Sequence, residues 1–213
     1  MTKPLLIGLT GVAGSGKDTV REILDARHGY DGIAFADPIR DMLRELLDSV
    51  GVDEKWMTER ELKEREIPEL GASYRQMAQL LGTEWGRTLH PDFWLKIAES
   101  RIALFRKFGS PGVVISDVRF PNEAAWVKAQ GGVVWKILRP GIEAVRAHAS
   151  ESLVDTLPYD YVIDNRGSIA DLKYAVDMAL EYGVDIGMRE HAARENDARL
   201  IAESNALATG PAQ

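Results

Sequence analysis

The chain has 213 residues, 45% hydrophobic and 28% charged, with a formal net charge of −7, a composition that suits one globular domain and excludes disordered, collagen-like and membrane-embedded classes. Cysteine is absent and the four histidines are scattered, which excludes disulfides, thiolate metal sites and cysteine nucleophiles and leaves only hard, oxygen-held cations as candidate metals. The acidic balance argues against nucleic acid as the main partner. No apolar run reaches membrane-spanning length, and Met1-Thr2-Lys3-Pro4 leads straight into a strand pattern without signal-peptide features, so a cytoplasmic setting is expected.

Leu5-Leu6-Ile7-Gly8-Leu9 is a continuous apolar run, the pattern of a strand covered on both faces of a parallel sheet. Comparable runs at 33–36, 113–116, 133–138 and 161–163 bring the expected strands to five. Helical spacing separates them at 17–27, 38–50, 72–88, 92–107, 121–130 and 168–182. This alternation predicts an α/β fold, a five-stranded parallel sheet flanked by helices. The long interval 37–110 between strands two and three is a helical insertion. Within it, residues 71–110 hold six Lys and Arg against three acids, a place to meet an anionic small molecule. From about 185 onward the chain turns polar. Residues 188–204 fit a weakly amphipathic helix and 206–213 a loose tail, either a solvated appendage or an oligomer contact in a homodimer. The expected organisation is a domain over 1–184 and a C-terminal segment over 185–213.

The sharpest signal is Gly11-Val12-Ala13-Gly14-Ser15-Gly16-Lys17, a G-x-x-x-x-G-K run between a strand and a helix. Its glycines let successive backbone N–H groups face one anion, the following helix adds its positive end, and Lys17 supplies a point charge for β- and γ-phosphates. The next position, usually Ser or Thr, is Asp18, followed by Thr19. Asp18 is either a ligand of Mg²⁺, directly or through water, or a first-turn acid favoured by the helix dipole; Thr19 is placed to contact the α-phosphate.

Asp37 and Arg40, just past strand two, lie where open α/β sheets bind ligands. Asp37 is suited to orienting or deprotonating an acceptor oxygen and Arg40 to pairing with an anion, but Asp37-Pro38 is also a helix-start signature. Val113-Val114-Ile115-Ser116-Asp117 is an apolar strand ending in an acid, the shape of a Walker B segment that brings a carboxylate near a metal; Arg119 follows, and Pro121-Asn122-Glu123 opens the next helix, where Glu123 also suits a first-turn charge. In the insertion, Tyr74, Met77, Ala78, Leu81 and Trp85 form an expected core face. Arg75, Gln79, Gly82 and Gly86 form a second stripe, which suits either a phosphate and a base edge or a plain solvated face.

Together these segments resemble the bacteriophage deoxynucleoside monophosphate kinase family over roughly residues 5–180. The resemblance rests on Gly11 to Thr19, Phe35-Ala36-Asp37-Pro38, Gln79-Leu80-Leu81-Gly82-Thr83-Glu84, the run Ser116 to Ala124, Leu138-Arg139-Pro140-Gly141, His148-Ala149-Ser150-Glu151 and Ile163-Asp164-Asn165. It implies a P-loop kinase that passes the γ-phosphate of ATP, with Mg²⁺, to a deoxynucleoside 5′-monophosphate. Lys17, Asp37, Asp117, Arg119 and Arg139 are then the candidate catalytic residues. Gly11, Ala13, Gly14, Ser15, Gly16, Lys17, Asp18, Thr19 and Asn165 would bind ATP, with Asp18 and Asp117 toward the metal. Asp37, Arg40, Arg75, Gln79, Arg119 and Glu123 would bind the acceptor. Residues 139–151, with Arg146, read as a lid or as a plain surface loop, and Asn165 as part of an adenine loop or as a turn residue. Two rivals stand beside this reading: a P-loop kinase for another acceptor (a modified nucleotide, a nucleobase hydroxyl in DNA, a coenzyme precursor), and a nucleotide-binding switch or ATPase. A host cytoplasm is the expected setting if the chain is phage-encoded.

Overall fold

A computed structural model of the chain describes residues 6–141 and 154–182. The strands are β1 (Leu6–Thr10), β2 (Asp31–Ile33), β3 (Glu66–Ile67), β4 (Ala72–Ser73), β5 (Val113–Ile115), β6 (Val133–Leu138) and β7 (Tyr161–Asp164). Five of them form one sheet in the order β2-β5-β1-β6-β7, every pair parallel, and β3 and β4 form a separate antiparallel hairpin. All five residues of β1 are buried, as its central place in a sheet covered on both faces requires. Leu6, Val113 and Ile115 face one apolar cluster while Ile7, Leu9 and Val114 face the other, the two-residue alternation of a pleated strand.

The helices are α1 (Lys17–His28), α2 (Asp37–Ser49), α3 (Lys55–Thr58), α4 (Arg60–Glu64), α5 (Tyr74–Gln79), α6 (Gly86–Leu89), α7 (Phe93–Lys107), α8 (Pro121–Ala129) and α9 (Ile169–Tyr182). Helices α1 and α9 cover the Ile7 face with Val20, Leu24, Leu172 and Val176, and α2, α7 and α8 cover the Leu6 face with Leu43, Leu95, Ile102 and Val127. The five expected strands and the helical insertion are present. No described helix is long and apolar enough to cross a membrane.

Three details depart from the sequence reading. The second strand pairs over Asp31–Ile33 and not 33–36, because the N–H groups of Ala34, Phe35 and Ala36 are taken by the carboxylates of Asp37 and Asp117. The helix expected at 72–88 begins only at Tyr74, where Ser73 accepts the Gln76 N–H at 3.1 Å as an N-cap. It then passes through a π-helical turn, Leu80–Trp85, before α6, and that wider turn rotates the faces beyond it. Trp85, expected in the core, is 45% exposed and lies edge-on to Phe93.

Candidate active site

The loop between β1 and α1 owes its shape to glycine. Gly11 has φ +145°, and a Cβ there would sit 2.5 Å from the Ile137 carbonyl oxygen. Gly16 has φ +103°, and its Cβ would sit 2.3 Å from Nδ2 of Asn165. Gly16 is also the N-cap of α1 and brings no capping side chain, so the first-turn N–H groups of α1 have no such acceptor. Nζ of Lys17 folds back and donates to the carbonyls of Gly11 at 2.6 Å and Val12 at 2.9 Å. The Ser15 hydroxyl is buried without a hydrogen-bond partner among the described residues. Asn165, itself buried, donates its amide to the Ser15 carbonyl at 2.8 Å. A glycine cradle, backbone donors, an orphaned hydroxyl and a nearby ammonium suit a polyphosphate.

Asp117 lies just past β5. Its two carboxylate oxygens accept the N–H of Phe35 at 2.7 Å and of Ala36 at 3.0 Å. Burial pushes its pKa up, while Arg119, Arg40 and these two N–H groups pull it down. Asp37 is turned to local work: one oxygen accepts the Ala34 N–H at 2.7 Å and the other holds Arg40 at 2.7 Å. At the start of α8, one oxygen of Glu123 accepts the N–H of Arg119 at 2.8 Å and of Phe120 at 3.1 Å. The other holds Arg87 at 2.7 Å, and that guanidinium stacks 3.7 Å over the Phe120 ring. Burial raises the Glu123 carboxyl from its ordinary 4.5 to about 7, the backbone N–H of Arg119 opposing the shift.

Asp117, Glu123 and Arg87 lie on the wall of one cavity of about 590 Å³ between the sheet edge and the insertion, which Asp37, Lys17, Ser15 and Asn165 do not line. Seven cations (Arg21, Arg40, Arg44, Lys63, Arg75, Arg87 and Arg119) and four acids (Asp18, Glu54, Asp117 and Glu123) line it. Apolar and small residues, among them Phe35, Ile39, Ala78, Gly82 and Trp94, line it as well. The π-helical turn contributes Gly82 and Thr83, and the Trp94 indole donates to the Gly82 carbonyl at 2.8 Å.

Asp18, Arg40, Arg75, Gln79, Asp117, Arg119 and Glu123 thus come together on one wall system. Of the second stripe, Arg75, Gln79 and Gly82 reach the cavity, while Gly86 closes against Trp94, whose ring lies 2.5 Å from where a Cβ would be. Tyr74 and Ala78, expected only in the core, also line the cavity. Asp37 stands behind Arg40, and Arg139 is exposed past β6, away from the lining. Arg146, positions 142–151 of the expected lid and the whole segment 185–213 lie outside the described residues. Lys63 and Arg87 were missed: Lys63 sits on a five-residue helix without periodic signal, and Arg87 carried only the hint of the local basic excess.

The family model described as deoxynucleotide monophosphate kinase matches residues 65–176, the stretch holding Arg75, Gln79, Arg87, Asp117, Arg119 and Glu123. A protein of Acanthamoeba polyphaga mimivirus named as a deoxynucleotide monophosphate kinase is 36% identical over 178 residues, covering 78% of this chain and 91% of that protein. The deoxynucleoside-5′-monophosphate kinase of Escherichia phage T5 is 45% identical over 76 residues, 33% of this chain and 29% of that one. Among solved structures, the dephospho-CoA kinase from Campylobacter jejuni aligns over 85% of this chain and 98% of its own with 16% identity and a TM-score of 0.44, too distant for its substrate to bear on this chain. The chain belongs to the deoxynucleotide monophosphate kinase family.

Proposed function

We propose that the chain passes the γ-phosphoryl group of ATP to the phosphate of a deoxynucleoside 5′-monophosphate held in the 590 Å³ cavity. The observation that carries this reading is the cavity's construction: a cation-rich wall reaching the start of α1 at Asp18, joined to an apolar stretch that suits a sugar and base. Family membership makes the chain a nucleotide kinase; the assignments to individual residues are ours.

Phosphoryl transfer needs positioning and charge neutralisation more than covalent help. The loop N–H groups and Lys17 bind the donor, Lys17 exchanging its two loop carbonyls for phosphate oxygens. Arg40, Arg75 and Arg119 bind the acceptor phosphate, and Gln79, Thr83 and Arg87 present polar edges to its base. The attacking oxygen belongs to a phosphate whose second pKa is about 6, so it is ionised near neutrality and needs no general base. Asp37 is then a positioning residue for Arg40. Asp18 is exposed and open, and the oxygens of Asp117 each retain a lone pair beyond the N–H they accept; the two fit Mg²⁺ held largely through water. When bound, that ion supplies neutralisation of the phosphate charge. Asn165 acts through the P-loop by fixing Ser15. We further propose a cytoplasmic setting for the reaction, the host's cytoplasm if the chain is phage-encoded.

The test is ADP formation from ATP and Mg²⁺ with dAMP, dCMP, dGMP, dTMP or a 5-substituted dUMP, against a control without acceptor. Stimulation by at least one acceptor is the expected result. Turnover equal to the control with all of them would return the reading to another acceptor, or to a conformational switch.

A further inference from the structure

Several cations lining the cavity are matched by acids among the described residues: Arg40 by Asp37 at 2.7 Å, Arg44 by Asp41 at 2.9 Å, Arg87 by Glu123 at 2.7 Å, and Arg75 by Glu64. Lys63 is different. It is half-buried on the cavity wall, and its ammonium has neither hydrogen-bond nor ion-pair partner among the described residues. Burial first, then repulsion from Arg40 and Arg75, depresses its pKa, while Asp18 and Glu64 oppose the shift. Lys63 therefore stands within electrostatic reach of two acceptor-side arginines and of the first turn of α1.

The position is built. Helix α4 ends at Glu64, whose carboxylate pairs with Arg75 on α5. The β3–β4 hairpin that joins the two helices is anchored by Ile67, which is completely buried. Ser73 then caps α5. A partly desolvated ammonium without a hydrogen-bonded partner is costly unless something completes it. A cluster of cations on one cavity wall is completed best by an anion of more than one charge, and a phosphate monoester carries about −1.5 to −2 at neutral pH.

We propose that Lys63 is a phosphate-binding residue of the acceptor site, its ammonium completing with Arg40 and Arg75 a three-cation clamp on the side that faces Asp18 and the P-loop. This rests on the reading of the cavity as the acceptor site. It assigns the short helix α4 a direct part in binding, and it places the acceptor phosphate next to the donor without direct contact from Asp37.

The experiment titrates wild type, Lys63→Ala and Lys63→Arg calorimetrically with the best deoxynucleoside monophosphate and, separately, with ATP, and records the thermal unfolding of each ligand-free protein. Lys63→Ala should weaken monophosphate binding about tenfold or more, as loss of a charge-assisted contact does, and leave ATP binding within about twofold. Lys63→Arg should recover most of the loss. The ligand-free Ala variant should melt at or above the wild-type temperature, because a repelling charge has gone; a purely structural lysine would lower it. Monophosphate affinity of Lys63→Ala equal to wild type would overturn the inference alone, as would a parallel loss of ATP affinity with a lower melting temperature. A wild type that binds ATP but no monophosphate would overturn the reading of the cavity together with the inference.

Discussion

Gly16 and Asn165 form the most exacting contact in the P-loop, and substituting them separately and together tests whether the loop is shaped as described. Asn165→Ala removes the 2.8 Å hydrogen bond to the Ser15 carbonyl and leaves that buried acceptor unmatched, at a cost of about 1 to 3 kcal/mol. Spent on the loop, that energy raises the Kd for ATP about 5- to 150-fold. Gly16→Ala is worse. A left-handed backbone at φ +103° strains any L side chain, and the new Cβ would press to 2.3 Å from the Asn165 amide. The strain costs about 1 to 3 kcal/mol, and the clash must be relieved by moving either the loop or Asn165. In the double variant the clash is gone and the strain remains, so the two losses should fall short of adding, by about 0.5 to 3 kcal/mol. Fluorescence or calorimetric titration with ATP measures all four proteins, and monophosphate affinity serves as the control for the fold. Strict additivity, or an Asn165→Ala protein with wild-type ATP affinity, would refute the contact.

Gly86→Ala sets a Cβ 2.5 Å from the Trp94 ring; urea unfolding should show a loss of about 1 to 3 kcal/mol, and an unchanged midpoint would contradict the packing. Asp117→Asn leaves one of the N–H groups of Phe35 and Ala36 without an acceptor, so acceptor KM should rise several-fold, and a KM equal to wild type would remove Asp117 from the account. Glu123 titrates at about 7 in the folded chain against an ordinary 4.5, chiefly through burial, so the folded state holds the proton more tightly than the unfolded one. Relative to Glu123→Gln, wild type should therefore lose about 3 kcal/mol of stability as pH rises from below 4.5 to above 7. A stability difference that stays flat over that range would contradict it.

What was legible in the sequence was what is local along the chain. Seven consecutive residues make the P-loop, and one apolar run ending in an acid locates Asp117, because strand pattern and function share a short stretch. The site's completion is not local. Asn165 meets Ser15 across 150 positions, and Glu123 holds Arg87 across 36, and neither pairing leaves a periodic trace. The π-helical turn is nearly silent: Leu80–Trp85 carries one glycine, Gly82, among residues common in helices, yet the wider turn carries Trp85 out to solvent and presents Gly86 to Trp94. Asp37 shows the opposite case, a residue in the right place by topology whose carboxylate is occupied by Ala34 and Arg40.

The most direct test of the central claim follows both products in one reaction: ATP, Mg²⁺ and the preferred deoxynucleoside monophosphate, with ADP and deoxynucleoside diphosphate quantified together for wild type and Lys17→Ala. The account predicts equal amounts of the two products from wild type and neither from the variant. ADP without diphosphate, or diphosphate formed undiminished by Lys17→Ala, would contradict it.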